Sequence, residues 1–254
     1  MSKKIICLDP GHGGKDSGAV GYGRQEKNDV LTLAKMVGKN LKPYATVKYT
    51  RTTDRYDSPS EKAAIANKYD ADFLMSIHRN SAGKTANGYE TLVYSNNGKK
   101  EKCASLLNSE MEKIGFTNRG TKIGTDLSVL KRSDMPAVLT ENGFISNAKD
   151  NAIFVSKMGL IADILALGCL TALGTTIASG SITKTGIYHK KVEAIKDCPI
   201  RTGRGKTNKK IGTLKIGDRI KVWYVLENTS GNLWGSVDYN NQTGYIYMGK
   251  VREV

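Results

Sequence analysis

Over the first 174 residues, short apolar or β-branched runs alternate with segments of helical period, and this alternation limits the fold more than any other feature. Residues 4–8 form an apolar run closed by Pro10-Gly11, the pattern of a buried first strand. Residues 27–42 carry Val30, Leu33, Ala34, Val37 and Leu41 at helical spacing and stop at Pro43. Residues 45–50 read as a strand, and Ser60-Glu61 opens a helix to about Tyr69. Residues 72–77 and 88–95 read as strands, and 99–114 as a helix stopped by Gly115. Short strands are expected at 126–131 and 136–141, followed by a helical stretch over 147–173 with a break near Gly159. The fold class that follows is α/β: a mixed, mostly parallel sheet with helices on both faces.

The texture changes at Gly174. Residues 174–185, GTTIASGSITKT, are small and polar, which marks a linker and sets the divisions at 1–175, 176–185 and 186–254. With so little to bury in the linker, its two flanks are expected to come apart without exposing core. Beyond it, short β-rich pieces at 212–214, 219–225, 233–238 and 244–248 show no helical period and predict a small β-barrel. The chain carries 39 Lys and Arg against 24 Asp and Glu. Residues 176–254 hold 14 and 6 of these, so under a third of the length carries a net +8 of the total +15. That surplus points to a polyanionic partner. Cys7, Cys103, Cys169 and Cys198 are scattered with no CxxC pair, which disfavours a thiolate zinc site and a disulfide scaffold. The first apolar run is too short for a signal peptide. The apolar stretch 158–174 contains Asp163 and falls short of the ~20 residues that span a bilayer, so it reads as a buried helix and no transmembrane segment is expected.

Nucleotide loops are poorly supported. Gly83-Lys84-Thr85 and Gly205-Lys206-Thr207 lack the earlier glycine of a phosphate loop, and Asp16 stands where a third dinucleotide-loop glycine belongs. Of three histidines, His189 lies beside Lys190 and Lys191 and reads as a solvated surface residue. His12 and His78 each follow or end a predicted strand, on the edge where α/β sheets bind ligands. Glu141 ends another strand there, and Glu26 precedes the helix after the first strand. Two imidazoles and a carboxylate form a common catalytic zinc shell, and a second carboxylate can take a proton from the bound water. On spacing alone Glu26 and Glu141 can exchange the ligand and base roles. Glu26 can also complement a helix dipole, and Glu141 can pair with a buried cation.

Seven blocks stand in order: LDPGHGG at 8–14, Glu26-Lys27, RTTD at 51–54, IAN at 65–67, SIHRNS at 76–81, GYET at 88–91 and LTENGFISN at 139–147. Together they resemble the zinc-dependent N-acetylmuramoyl-L-alanine amidases of the Amidase_3, LytC/AmiC type, over about residues 3–173. The resemblance implies Zn2+ held by His12, Glu26 and His78, with Glu141 as the catalytic carboxylate. It further implies cleavage of the amide between N-acetylmuramic acid and L-alanine in bacterial peptidoglycan. Two stretches depart from the family pattern: the helix usually carries an arginine before its IAN block, where this chain reads Ser60-Glu61-Lys62-Ala63-Ala64-Ile65, and Arg79 replaces the more usual alanine between His78 and Asn80. Both are expected to alter substrate contacts.

The tail has a weaker resemblance, carried by Pro199 to Gly203, Ile211 to Leu214, Gly217, Val222, Trp234 and Gly244 to Ile246. It is similar to bacterial SH3-type (SH3b) domains, which implies an SH3-like barrel and a wall-binding groove for which Trp223, Trp234 and Tyr245 are candidates. Asn80 is a further candidate substrate contact in the catalytic part. An amidase with such a tail and no signal peptide resembles a phage endolysin, made in the host cytoplasm and acting at the bacterial cell wall. A bacterial autolysin of the same chemistry, another zinc peptidase and a non-catalytic wall-binding protein are the alternatives. No base-reading module is visible, so nucleic acid is not an expected partner.

Overall fold

In the first strand Ile6 and Leu8 face one side of a sheet and Cys7 the other, the period-two alternation of a strand covered on both faces. The computed structural model describes residues 3–254. In chain order its first part contains β1 (Ile5–Pro10), a small hairpin of β2 (Val20–Gly21) and β3 (Arg24–Gln25), α1 (Glu26–Leu41), β4 (Thr46–Tyr49), α2 (Pro59–Lys68), β5 (Phe73–Asn80) and β6 (Tyr89–Val93). It continues with α3 (Gly98–Lys113), β7 (Asn118–Ile123), α4 (Ser128–Lys131), β8 (Ala137–Phe144), α5 (Ala148–Ser156) and α6 (Met158–Ala172). The six-stranded sheet runs β4-β1-β5-β8-β6-β7, parallel throughout except where β6 meets β8. Helices α1, α3 and α6 cover one face over Ile6, Leu8, Phe73, Met75 and Ile77. Helices α2 and α4 cover the other, over Cys7, Leu74 and Leu139. The mixed, mostly parallel sheet with two covered faces is as the alternation requires.

Some elements differ from expectation. Residues 126–131 contain a helical turn rather than a strand, because consecutive Val129 and Leu130 both bury against the second face. The α2 helix starts two residues early: Ser58 caps it, reciprocated by Glu61, with Pro59 in the first turn. The edge strand β7, Asn-Arg-Gly-Thr-Lys-Ile, is too polar to show as a strand in sequence. The break in the last helical stretch falls at Lys157, where the chain turns by 79° between α5 and α6. No single described helix is long and apolar enough to cross a membrane, and α6 is buried almost throughout.

The second part contains β9 (Ala178–Ser179), β10 (Gly186–Ala194), β11 (Cys198–Arg201), β12 (Lys210–Leu214), β13 (Arg219–Glu227), β14 (Leu233–Tyr239), β15 (Gln242–Tyr247) and β16 (Val251–Glu253). They pair in the order β12-β11-β15-β14-β13-β10-β16, with β9 beside β10. This is an open path around its own buried cluster of Val192, Ile200, Val222, Val237 and Ile246, where the sequence led us to expect a closed barrel. All four cysteines are buried and unpaired.

The two parts share a seam, contrary to the expectation that they separate without exposing core. Trp223, Tyr224 and Leu226 of β13 belong to the same apolar cluster as α1, α3 and α6. Gly159 is the point of closest approach: a Cβ there would sit 2.6 Å from the Tyr245 hydroxyl and 2.7 Å from Thr243. Arg204 reaches across the seam to donate to Asn40 Oδ1 at 2.8 Å and to form an ion pair with Asp163. Asn40 in turn donates to Asp163 at 2.8 Å. His189, expected at the free surface, lies in this seam with Nε2 3.0 Å from Glu110, and the Tyr224 hydroxyl donates to the same carboxylate at 3.1 Å.

At the end of β1, beneath the loop that carries His12, Asp9 is 1% exposed. It accepts from Lys62 at 2.8 Å, Ser76 at 2.7 Å and Thr50 at 2.6 Å. Burial alone would raise the Asp9 pKa, but Lys62 and the two hydroxyls hold it below its ordinary value. Asp9 therefore adds stability above the ordinary carboxylate range, and that stability is lost as pH falls through its depressed native pKa.

Two predictions follow from packing. Asp9→Asn or Lys62→Met alone is expected to cost about 3–5 kcal/mol in denaturant unfolding, because each strands a buried charge or its partners, whereas the double variant costs less than the sum. Cleavage within 176–185 is expected to leave the two pieces bound to each other in gel filtration. Residues 1–175 expressed alone are expected to bind a hydrophobic dye, since α6 loses its cover.

Candidate active site

The loop after β1 is built to bring two imidazoles together. Gly11 donates its N–H to the Ile77 carbonyl at 3.0 Å, and its missing side chain leaves room for His78: a Cβ there would fall 2.2 Å from that ring. His12 follows in the left-handed region, with φ of 57°. Arg51 fixes the loop from below through the carbonyls of Pro10, Gly11 and Lys27. Asp54 completes the clamp by accepting from Lys27 and from the Gly14 N–H. The RTTD block thus serves the loop that carries His12.

Glu26 opens α1 and is 3% exposed. Its Oε1 lies 3.1 Å from His12 Nε2 and 3.0 Å from His78 Nδ1, and it accepts the Arg79 N–H at 2.9 Å. Its Oε2 accepts the Ala19 N–H at 2.9 Å. Burial pushes the Glu26 pKa up, yet the hydrogen bonds and charges of His12 and His78 hold it well below the carboxylate range. Burial lowers His12, and Glu26 with Asp16 more than offsets this, so its pKa is raised. Donor atoms from His12, Glu26 and His78 all lie within 4.8 Å of one another. Two neutral imidazole nitrogens and one carboxylate oxygen at that separation suit zinc, with a coordination position left for water.

Sequence reading missed Asp16. Its Oδ2 lies 2.8 Å from His12 Nδ1, so it holds that nitrogen as N–H and turns Nε2 toward Glu26. Its spacing of four from His12, inside a glycine-rich loop, is the only sequence signal for this role.

Glu141 lies directly across from His78 in the β5–β8 ladder and across from Glu90 in the β8–β6 ladder, so the three form one row over the sheet. Its Oε2 is buried with no hydrogen-bond partner among the described residues. Burial, then the charges of Glu26 and Glu90, raises its pKa well above the carboxylate range. A carboxyl group with an unengaged oxygen beside the two imidazoles is placed to exchange a proton with a bound group.

Lys62 and Arg79 are both buried in ion pairs. Lys62 is buried against Asp9 and the Pro10 carbonyl. Arg79 is buried too, with Asp29 at 2.6 Å and its guanidinium 4.1 Å over the Phe154 ring. Asn80 donates to Glu90 at 2.8 Å and so braces the row. The three tail aromatics do not share one groove. Trp223 and Tyr245 are buried along the seam, Tyr245 under the Arg204 guanidinium at 4.5 Å. Trp234 is buried against Tyr247, at 5.8 Å between ring centroids, and with it lines a basic groove of about 680 Å³ that also takes in Lys39, Lys206 and Lys250.

The family described as N-acetylmuramoyl-L-alanine amidase matches residues 6–168. This chain belongs to that family. Members of the Amidase_3 family are generally zinc-dependent. A sporulation-specific N-acetylmuramoyl-L-alanine amidase of Bacillus subtilis is 36% identical over 197 residues, 75% of each chain. The endolysin of Bacillus phage SPP1 is 39% identical over 170 residues, 63% of this chain and 62% of that protein. The crystal structure of an N-acetylmuramoyl-L-alanine amidase from Clostridium difficile superposes with a TM-score of 0.65 at 32% identity, covering 69% of this chain and all of that one.

The Asp16 contact gives a direct test. Asp16→Asn is expected to weaken zinc binding about 10–100-fold in chelator competition, because the oriented His12 tautomer loses its carboxylate. His78→Ala should bind zinc far more weakly still.

Proposed function

We propose that this amidase hydrolyses the amide joining the lactyl group of N-acetylmuramic acid to L-alanine of the stem peptide in bacterial peptidoglycan. The observation that carries this is the convergence of His12, Glu26 and His78 beside a carboxyl group, Glu141, that no described residue engages at Oε2. In this reading His12 Nε2, a Glu26 oxygen and a His78 ring nitrogen hold zinc. Bound there, zinc supplies a Lewis acid for the carbonyl and brings a water pKa toward ~7. Asp16 holds the His12 ring in the ligating tautomer, and the Arg79 and Ala19 N–H groups hold the Glu26 carboxylate still. Glu141 takes the proton of the attacking water at Oε2 and returns it to the departing alanine amine.

The tail is read as an SH3b-type module that attaches the enzyme to the wall, with the Trp234–Tyr247 groove and its lysine rim as the contact. We read the whole as an endolysin, made in the host cytoplasm and acting on the wall from within. The likeness to a sporulation-specific amidase over 75% of each chain favours a bacterial autolysin as the second reading.

Product analysis decides the chemistry. Digested walls should gain L-alanine amino termini without gaining reducing sugar ends. A gain in reducing ends, or amines appearing only in the cross-bridge, would rule out this amide as the target. Glu141→Ala should keep its zinc while losing about 10²–10⁴-fold in turnover, as expected for a lost general base.

A further inference from the structure

The catalytic row does not stop at Glu90. From the edge strand β7, Arg119 reaches back to Glu90, with Nε 2.8 Å from its Oε2. Asn80 holds the other oxygen of that carboxylate. The Arg119 guanidinium lies 5.0 Å over the Phe144 ring, which sets its plane. Its side chain is 38% exposed, and neither terminal nitrogen has a partner among the described residues. One edge of the guanidinium is thus spent on Glu90 and one face on Phe144, which leaves the two terminal nitrogens of a partly exposed side chain without a partner among the described residues. A planar fork held in this way matches a carboxylate in bidentate geometry.

We propose that Arg119 binds a carboxylate of the stem peptide and so sets which peptidoglycans this enzyme cleaves. The proposal rests on the amidase reading. The residue after L-alanine in the stem is a glutamate joined through its side-chain carboxyl, which leaves its main-chain carboxylate free; in other walls that group is a carboxamide. Arg119 stands on β7, three strand spacings from His78, but its side chain reaches back to Glu90, two spacings or about 10 Å from His78. A carboxylate two residues along an extended peptide lies about 7 Å from the scissile carbonyl, and a hydrogen bond of about 3 Å closes the remainder. Arg119 is the cation that the row itself engages, through Glu90. A neutral carboxamide would lose the charge-assisted pair.

The test uses the full chain with zinc and two soluble muramoyl peptides that differ only in a free carboxylate or a carboxamide at that glutamate. The wild type should favour the carboxylate by about 10–100-fold in kcat/KM, the range for a hydrogen bond to a charged group. In Arg119→Gln the ratio should fall toward one, with the loss on the carboxylate substrate taken mainly in KM. Arg119→Lys should retain part of the preference. A wild type with no preference overturns the proposal. So does an Arg119→Gln variant that loses equally on both substrates, since that outcome assigns Arg119 to bracing Glu90 alone. Failure of the wild type to release the alanine amine from either substrate instead removes the amidase reading, and this proposal with it.

Discussion

The buried contact between Asp9 and Lys62 is the fixed point from which the rest of the catalytic edge is set. A carboxylate with 1% exposure cannot stay charged in an apolar sheet without full compensation, and it receives one ammonium and two hydroxyls. Those partners come from α2, from β5 and from the end of β4, so a single group ties three elements to the end of β1. Lys62 also holds the Pro10 carbonyl at 2.6 Å, one residue before Gly11. The carbonyl just before the loop that carries His12 is thereby held in place. A lysine suffices there because the target is one carboxylate oxygen and one carbonyl, which a point charge satisfies.

The grouping of the site residues was legible in the sequence. Parallel strands end on a common edge, so residues placed just after apolar runs fall together, and His12, His78 and Glu141 could be grouped before any coordinates. Spacing could not divide the ligand and base roles between Glu26 and Glu141. In the structure Glu26 touches both imidazoles, while Glu141 sits one strand over with an oxygen free. Asp16 was not legible, because a lone aspartate in a glycine-rich loop has no pattern of its own. The burial of Lys62 and Arg79 was not legible for a related reason: linear neighbourhood to a site does not say which face of a strand or helix a side chain leaves.

The tail was legible as β-structure but not in its relation to the first part. Its short runs and turns announce strands locally, whereas the seam is made by residues far apart in sequence: Asn40, Asp163 and Arg204. The apolar α6 was correctly taken as buried, yet nothing in its sequence says that part of its cover comes from β13, nor that Gly159 is small to admit Tyr245. Asp163 in an otherwise apolar helix was the one available hint, since such a group requires a partner.

A polar linker ordinarily lets one module swing while the other stays anchored, so a tethered enzyme samples every bond within a radius. The seam removes that freedom. With Trp223, Tyr224 and Leu226 buried against α1, α3 and α6, the tail and the active edge keep a set span, like the jaws of a caliper. For a tail that holds the wall, as proposed, attachment at one place brings only bonds at one offset within reach. Once those were cut, the next hydrolysis would require the tail to let go. Turnover on intact wall would be governed by how fast the tail releases, and tighter anchoring past that point would make the enzyme slower.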